Sequence, residues 1–574
     1  MDIDLSGILH QLQFNGSCFQ SYNALVQNRD NIQRMESLLL TIDYHDPLML
    51  AIAFVAGFAF SRIGLPPLVG FLAAGFIFGA MGARNTPLLN ELADLGVTLL
   101  LFTIGLKLRV STLLKPEIWG VATLHMLITV IIFSTILLGL GAIGMTLFSQ
   151  LDLQTAAIVA FALSFSSTIF AVKALEAAGQ SGSRGGRIAI GVLIMQDIAA
   201  VVFLAASGGR LPSLWAFSLL GLLLLRKPIL AILNKSGHGE LQILIGFVLA
   251  LGGAQLFEFF NLKGDLGALF LGALIAGHPR SDELAKTLLG FKELFLVAFF
   301  LSIGLAGLPT AEIFITGFVL LLLVPLKVAL FFWLFTRFRL MATTANRTSL
   351  VLANYSEFGL IVAAIAVSVG WLPTEWMLVD AVALSLSFVF ASVVTTNTNQ
   401  IFDKLKNFLK GFESPKRLPD DAPIEVGEAS MIIFGMGRVG TGAYDAINHL
   451  IPGAVLGVDY DNVVVEEHNK CGRNVVTGDA TNPEFWDRVN MSHKVEYALL
   501  AMPEHSAQVT TIKQTRKHGF KGKIAASAKH PDELEQLQEL GVEAAFNIYA
   551  EVGTGFATLA SSKFGLLSIR SNTD

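Results

Sequence analysis

Residues 192–200 read VLIMQDIAA, an apolar run that sets the carboxylate of Asp197 beside the neutral amide of Gln196. The run extends both ways, over about 187–206, long enough to cross a bilayer as a helix. A carboxylate at that depth costs on the order of 3 kcal/mol by insertion scales, and those that persist there pair, face water or mark an ion pathway. Desolvation favours the neutral acid, so Asp197 is read as a group that trades a proton for a cation near neutral pH. Gln196 does not ionise, which predicts one proton per monovalent cation. The alternative is a carboxylate hydrogen-bonded within the bundle and without a transport role.

Outward from this run the pattern repeats. Between residues 47 and 398, apolar stretches of spanning length alternate with short polar loops, and roughly 13 membrane helices are expected. They fall at 47–62, 66–82, 91–106, 117–148, 155–173, 187–206, 213–234, 240–260, 265–278, 287–307, 311–336, 348–370 and 376–398. The composition agrees, since 53% of the 574 residues are hydrophobic and only 15% charged, far from the balance of a soluble domain. The chain's partner is therefore a lipid bilayer. A net charge of -5 without a basic tract excludes nucleic acid. Cys18 and Cys471, at opposite ends, form neither a disulfide framework nor a zinc motif.

Lys and Arg cluster in alternate loops, among them Lys107, Arg109 and Lys115, then Lys173, Arg184 and Arg187, then Arg337, Arg339 and Arg347. These loops are expected in the cytoplasm. An odd number of spans then places the N-terminus outside, with residues 1–46 as a periplasmic extension that lacks the basic start of a cleaved signal.

Two spans carry interruptions. FALSFSSTIFAVKAL, 161–175, holds Ser164, Ser166, Ser167 and Thr168 in a row; hydroxyls compete for backbone hydrogen bonds and let a helix unwind into ion ligands. The same run also reads as small residues for close helix packing. ANYSEFGLIVAA, 353–364, breaks a later span with Glu357 and Gly359, and paired broken helices point to a transporter's central site; Glu357 is equally readable as an acid near a helix end. Asp94 reads as structural, and Lys292 as a cation snorkelling to the cytoplasmic surface.

Residues 399–429 read as a charged, then Pro-rich and acidic linker. From 430 to 574 short apolar runs (MIIFG, AVLGVD, NVVTGD, YALLAM, KIAASA, EAAFN) alternate with polar helical segments, the pattern of a parallel α/β sheet. GMGRVG, comprising Gly435, Met436, Gly437, Arg438, Val439 and Gly440, follows the first strand and opens a helix. That context makes it a dinucleotide-type phosphate loop: Gly435 for the turn, Gly437 for close phosphate approach, Gly440 for helix packing. Asp459, ending the second strand, is placed to accept ribose hydroxyls, which favours NAD(H) or AMP over a 2′-phosphorylated nucleotide. Asp479 and Ala480, in GDAT, are expected beside the adenosine. No residues for hydride transfer are read in this domain.

The order SRIGLPPLVGFLAAGFIFG (61–79), LLLFTIGLKL (99–108), SFSSTIFAVKAL (164–175), IGVLIMQDIAAV (190–201) and FFLSIGL (299–305) resembles the cation:proton antiporter-2 family, in particular its Kef-type potassium/proton exchangers. The resemblance runs from about residue 47 into the C-terminal domain, which is similar to KTN or RCK regulatory domains. It implies a polytopic α-helical membrane fold of 13 helices with inverted repeats, two crossing broken helices, and a homodimer in the bacterial inner membrane whose core moves like an elevator. It also implies potassium held at Asp197, with Thr168, Ser167 and their neighbours on the crossing helix, and a nucleotide-gated secondary transporter rather than an enzyme. A soluble oxidoreductase-like ancillary subunit and glutathione control belong to the same pattern. Three departures argue against glutathione here: Ser527 stands where an arginine is expected, the acidic inhibitory loop is reduced to PRSDELAK around Asp282 and Glu283, and the chain stops soon after its dimerisation helix.

Other readings remain at this stage. Nothing in the residues sets ion size, so sodium/proton exchange is open. A ligand-gated potassium channel lacks a TVGYG-type filter, and a membrane oxidoreductase lacks paired histidines in adjacent spans.

Overall fold

Each expected span contains helix in the computed structural model, which describes residues 45–564 except 63–64, 108–112, 181–182, 208–213, 238, 261–263, 306, 308, 415–426, 483–484, 487–488 and 491–493. The extension expected over 1–46 lies almost wholly outside the described residues. The first helices are α1 (His45–Arg62), α2 (Pro67–Ala80), α3 (Pro87–Lys107) and α4 (Pro116–Ala142). Proline opens three of them, because the first helical position needs no N–H. The expected helix 117–148 stops at Ala142, where Gly144 takes φ +92° and the chain restarts as a single turn, Thr146–Ser149.

Next come the half-helices α5 (Leu153–Ser164) and α6 (Thr168–Ala177), then α7 (Arg184–Ser207), which carries Asp197. Asp152 starts α5 with a capping box, accepting from the Thr155 amide at 2.8 Å while its own amide donates to the Thr155 hydroxyl. The span expected over 213–234 is only partly α-helical: Leu214–Leu225 is a 3₁₀ helix, continued as α8 (Arg226–Lys235). Then follow α9 (Glu240–Phe259), α10 (Gly264–Ile275), α11 (Pro279–Leu305), α12 (Ala311–Leu321), α13 (Val324–Arg337), α14 (Ala342–Val351), α15 (Glu357–Ser368) and α16 (Thr374–Thr396). α12 and α13 form one bent span, and Pro325, which lacks an N–H, sits at the bend.

The membrane helices pack as two bundles. In the first, α1, α2, α3, α9, α10 and α11 pack on one another through glycines whose backbones touch. A Cβ at Gly75 of α2 would lie 2.7 Å from the Gly304 α-carbon of α11, and one at Gly253 of α9 would lie 2.7 Å from the Gly267 carbonyl of α10. The second comprises α4 to α7 and α12 to α16. Helix α17 (Thr398–Lys410), at the start of the expected linker, seats Phe402 and Leu409 in the core of this bundle.

The C-terminal domain is a six-stranded parallel sheet in the order β3-β2-β1-β4-β5-β6, with β1 Met431–Phe434, β2 Val455–Asp459, β3 Val475–Thr477, β4 Tyr497–Leu500, β5 Lys523–Ala528 and β6 Ala544–Asn547. All six apolar runs became strands. Between them run α18 (Arg438–Leu450), α19 (Asn462–Lys470), α20 (His505–Lys517) and α21 (Pro531–Glu539), and α22 (Ile548–Lys563) follows β6. The order reverses between β1 and β4, and that crevice is where such sheets bind ligands.

Candidate functional site: a broken-helix crossing and a nucleotide cleft

Two unwound segments meet inside the second bundle, residues 165–167 between α5 and α6 and residues 352–356 between α14 and α15. They approach closely because Gly359 has no side chain; a Cβ there would fall on the Ala162 carbonyl oxygen. Unwinding strands peptide groups that must find partners in a bundle closed to water. Side chains supply them. The Ser166 amide donates to Gln196 Oε1 at 2.9 Å and Gln196 Nε2 donates to the Ser164 carbonyl at 3.1 Å. The Ser167 amide donates to Asn354 Oδ1 at 2.6 Å, and Ser166 Oγ donates to the Leu352 carbonyl at 3.0 Å.

The carbonyl ends of both broken helices converge on one cation. Lys327 of α13, fully buried, donates from Nζ to the carbonyls of Leu163 at 3.2 Å and Asn354 at 2.9 Å, and to that of Phe165. Its ammonium faces the negative ends of α5 and α14. At the opposite, positive ends stand the two acids. Thr168, the first residue of α6, donates from Oγ1 to Asp197 Oδ2 at 3.3 Å, and Glu357, fully buried, opens α15, its carboxylate oxygens without a hydrogen-bond partner among the described residues. Thus Asp197, Thr168, Ser167 and Glu357 are gathered at one crossing. Gln196 is there too, but its amide is committed on both sides to the unwound backbone, so it holds the site's shape.

One sequence reading changes. Lys292 does not reach the surface: it is 6% exposed, buried within the helices. Asp94 is exposed on α3, outside the crossing. Lys327 and Asn354 were missed by sequence reasoning. The signal for Lys327 was a lone cation inside VPLKVALFFW, 324–333.

A cavity of about 330 Å3 between the bundles is walled by Pro67 and Phe71 of α2, Ile169 and Lys173 of α6, and Glu293 and Phe300 of α11. It follows α6 from beside Thr168 toward the end that meets the C-terminal domain.

The second site is a cleft of about 860 Å3 at the carboxyl ends of β1, β2 and β4. Gly435 takes φ +87°, and a Cβ at Gly440 would fall on the Gly435 carbonyl oxygen. Around Gly437 there is open space where a Cβ would stand, and this residue starts α18 without a side-chain cap. The first-turn amides are thereby left for an anion, and the loop fits a nucleotide phosphate. Met436, Arg438, Val439, Asp459, Asp479 and Ala480 also line the cleft, whereas Gly440 serves packing. Asp459 does more than face a ribose. Its Oδ2 accepts the Met436 amide at 2.8 Å and its Oδ1 the Asp461 amide at 2.9 Å, so it braces the glycine loop as well. Replacing Asp459 with Ala removes both anchors, and calorimetry on the full chain is expected to show adenine-nucleotide affinity falling roughly tenfold or more, two charge-assisted bonds being lost.

A buried acid at a crossing of broken helices, tied to a Rossmann cleft, defines a secondary cation/proton antiporter with a nucleotide-binding regulatory domain. The profile described as sodium/hydrogen exchanger, transmembrane, matches residues 50–398, and the TrkA-N domain profile matches 431–548. The chain belongs to the sodium/hydrogen exchanger family and is a Kef-type member of it. The glutathione-regulated potassium-efflux system protein KefC of Klebsiella pneumoniae (strain 342) is 28% identical over 544 residues, covering 89% of this chain and 84% of that protein. KefC of Salmonella schwarzengrund is 27% identical over 515 residues, covering 84% and 78%. Among solved structures, the sodium proton antiporter MjNhaP1 from Methanocaldococcus jannaschii matches at 12% identity, covering 62% of this chain and 96% of that one, with a TM-score of 0.46.

Proposed function

We propose that the protein exchanges cytoplasmic potassium for external protons across a bacterial inner membrane, under control of an adenine nucleotide, NAD(H) or AMP. The observation that carries the exchange chemistry is the contact of Thr168 with Asp197 at the head of a half-helix, beside a cavity leading away from it. Protonated, Asp197 is neutral. Deprotonated, it provides the charge for one cation, and the Thr168 hydroxyl, which keeps its lone pairs while donating to Asp197, adds an oxygen ligand.

Potassium as cargo follows from the printed function of the KefC relatives. The alternation of Lys and Arg among the loops supports an N-terminus outside and a C-terminal domain inside. A homodimer is supported by α22, which exposes Tyr549, Val552, Phe556 and Leu559 along one face. Nucleotide rather than glutathione is the proposed controller, since the Ser527 position brings a short neutral side chain whose hydroxyl donates to the Leu500 carbonyl at 3.3 Å. Control acts through unequal affinity of the nucleotide for two arrangements of the protein.

In proteoliposomes carrying a pH gradient, added potassium is expected to dissipate the gradient and sodium to do so more weakly. Equal responses to the two ions would remove potassium selectivity from the proposal, and no response to either, with and without nucleotide, would remove exchange.

A further inference from the structure

The nucleotide cleft has a wall that does not come from the nucleotide-binding domain. Gly179 and Ser183, in the turn joining α6 to α7, line it together with Gly435, Asp459 and Glu504. This turn connects the half-helix that carries Thr168 to the helix that carries Asp197.

The turn is held against the lip of the cleft. The last carbonyls of α6 also accept from α20: Ser506 Oγ donates to the Glu176 carbonyl at 3.0 Å, beside the Gly179 amide that caps it, and Thr510 Oγ1 donates to the Ala178 carbonyl at 3.1 Å. The negative end of α6 thereby sits on the first turn of α20, its positive end, a favourable pairing. Contact is close enough to require glycine. Gly179 takes φ +65°, and a Cβ on it would fall on the Ala507 amide nitrogen. Nearby, the Arg187 guanidinium lies 5.5 Å from the centre of the Tyr460 ring, next to Asp459, and Arg347 Nη2 donates to the Thr481 carbonyl at 3.2 Å.

We propose that the nucleotide site is a two-domain site, completed by the membrane-domain turn bearing Gly179 and Ser183, so that an adenine nucleotide in the cleft favours the docked position of α6. The inference rests on the nucleotide reading above and adds where that ligand meets the transport machinery. Because coupling is reciprocal, loosening the dock weakens the ligand. The ion site is reached over the ten residues of α6, whose far end contacts Asp197.

The test uses the full chain, with NADH and AMP as probes, in calorimetry and in proteoliposome flux. The variant Ser506→Ala with Thr510→Val removes the two docking donors and leaves the glycine loop intact. It is expected to bind the effective nucleotide roughly fivefold more weakly or worse, the lower end of ordinary allosteric coupling, and to retain flux without nucleotide while losing the response to it. Gly179→Val, a wedge from the membrane side, is expected to weaken binding of the same nucleotide as well, so that the loss of affinity is read from both sides of the dock. Wild-type affinity and a wild-type flux response in both variants would overturn the two-domain site while leaving nucleotide control standing. Absence of NADH and AMP binding by the wild type overturns both.

Discussion

Asp197→Asn is expected to bring cation-driven proton flux in proteoliposomes down to the level of protein-free vesicles while leaving thermal stability and nucleotide affinity unchanged. Asparagine keeps the shape of the side chain and can still accept from Thr168 Oγ1, so the crossing stays assembled. What it loses is the charge that alternates between proton and cation. With Gln196 neutral and committed to the Ser164 and Ser166 backbone, no neighbour in sequence takes over. The wild-type exchange should also be indifferent to an imposed membrane potential, because one proton replaces one monovalent cation. If Asp197→Asn still couples the two fluxes, the exchanging acid lies elsewhere and Glu357 becomes the first place to look.

Lys327→Met is expected to have the second largest effect, on the fold as well as on transport. The substitution keeps much of the apolar stem but leaves the carbonyls of Leu163, Phe165 and Asn354 without their donor. Each buried group stripped of its partner costs roughly 1–3 kcal/mol, which sums to about 3 kcal/mol or more. A fall in melting temperature of the detergent-solubilised protein, accompanied by loss of flux, is the expected result, and Lys327→Arg should recover much of the stability because a guanidinium offers several donors. An unchanged melting temperature in Lys327→Met would show that the unwound segments hold without the cation.

The architecture was readable in the sequence because it rests on composition and period. Long apolar stretches in lipid have few options other than helix, and the six short apolar runs after residue 430 matched the six strands one for one. GMGRVG was readable because Gly435 and Gly440 answer local steric demands while Gly437 leaves open space at the head of α18. The crossing was half-readable. Hydroxyls and Glu357 marked where helices break, but the groups that mend the breaks, Lys327 and Asn354, come from distant positions and act through backbone carbonyls and amides, which leave no periodic trace. Lys292 was misread for a related reason. A lysine near the start of the expected span 287–307 looks the same in sequence whether it reaches the surface or is buried, and α11 begins earlier, at Pro279, which puts Lys292 in mid-helix. Nor did the sequence give sign of Gly179 and Ser183 at the nucleotide cleft, since that wall exists only once two domains meet.

The glycine contacts of the first bundle bear on tolerance to substitution. Where Gly75 meets Gly304, and Gly253 meets Gly267, main chains lie against each other, and any added methyl group must pry two helices apart. A saturation scan of the chain should therefore find some of its most intolerant positions at these helix crossings, away from both the ion site and the nucleotide cleft. Variation selected for altered ion choice or altered control should accumulate in the other bundle, which carries Asp197 and the Gly179 turn.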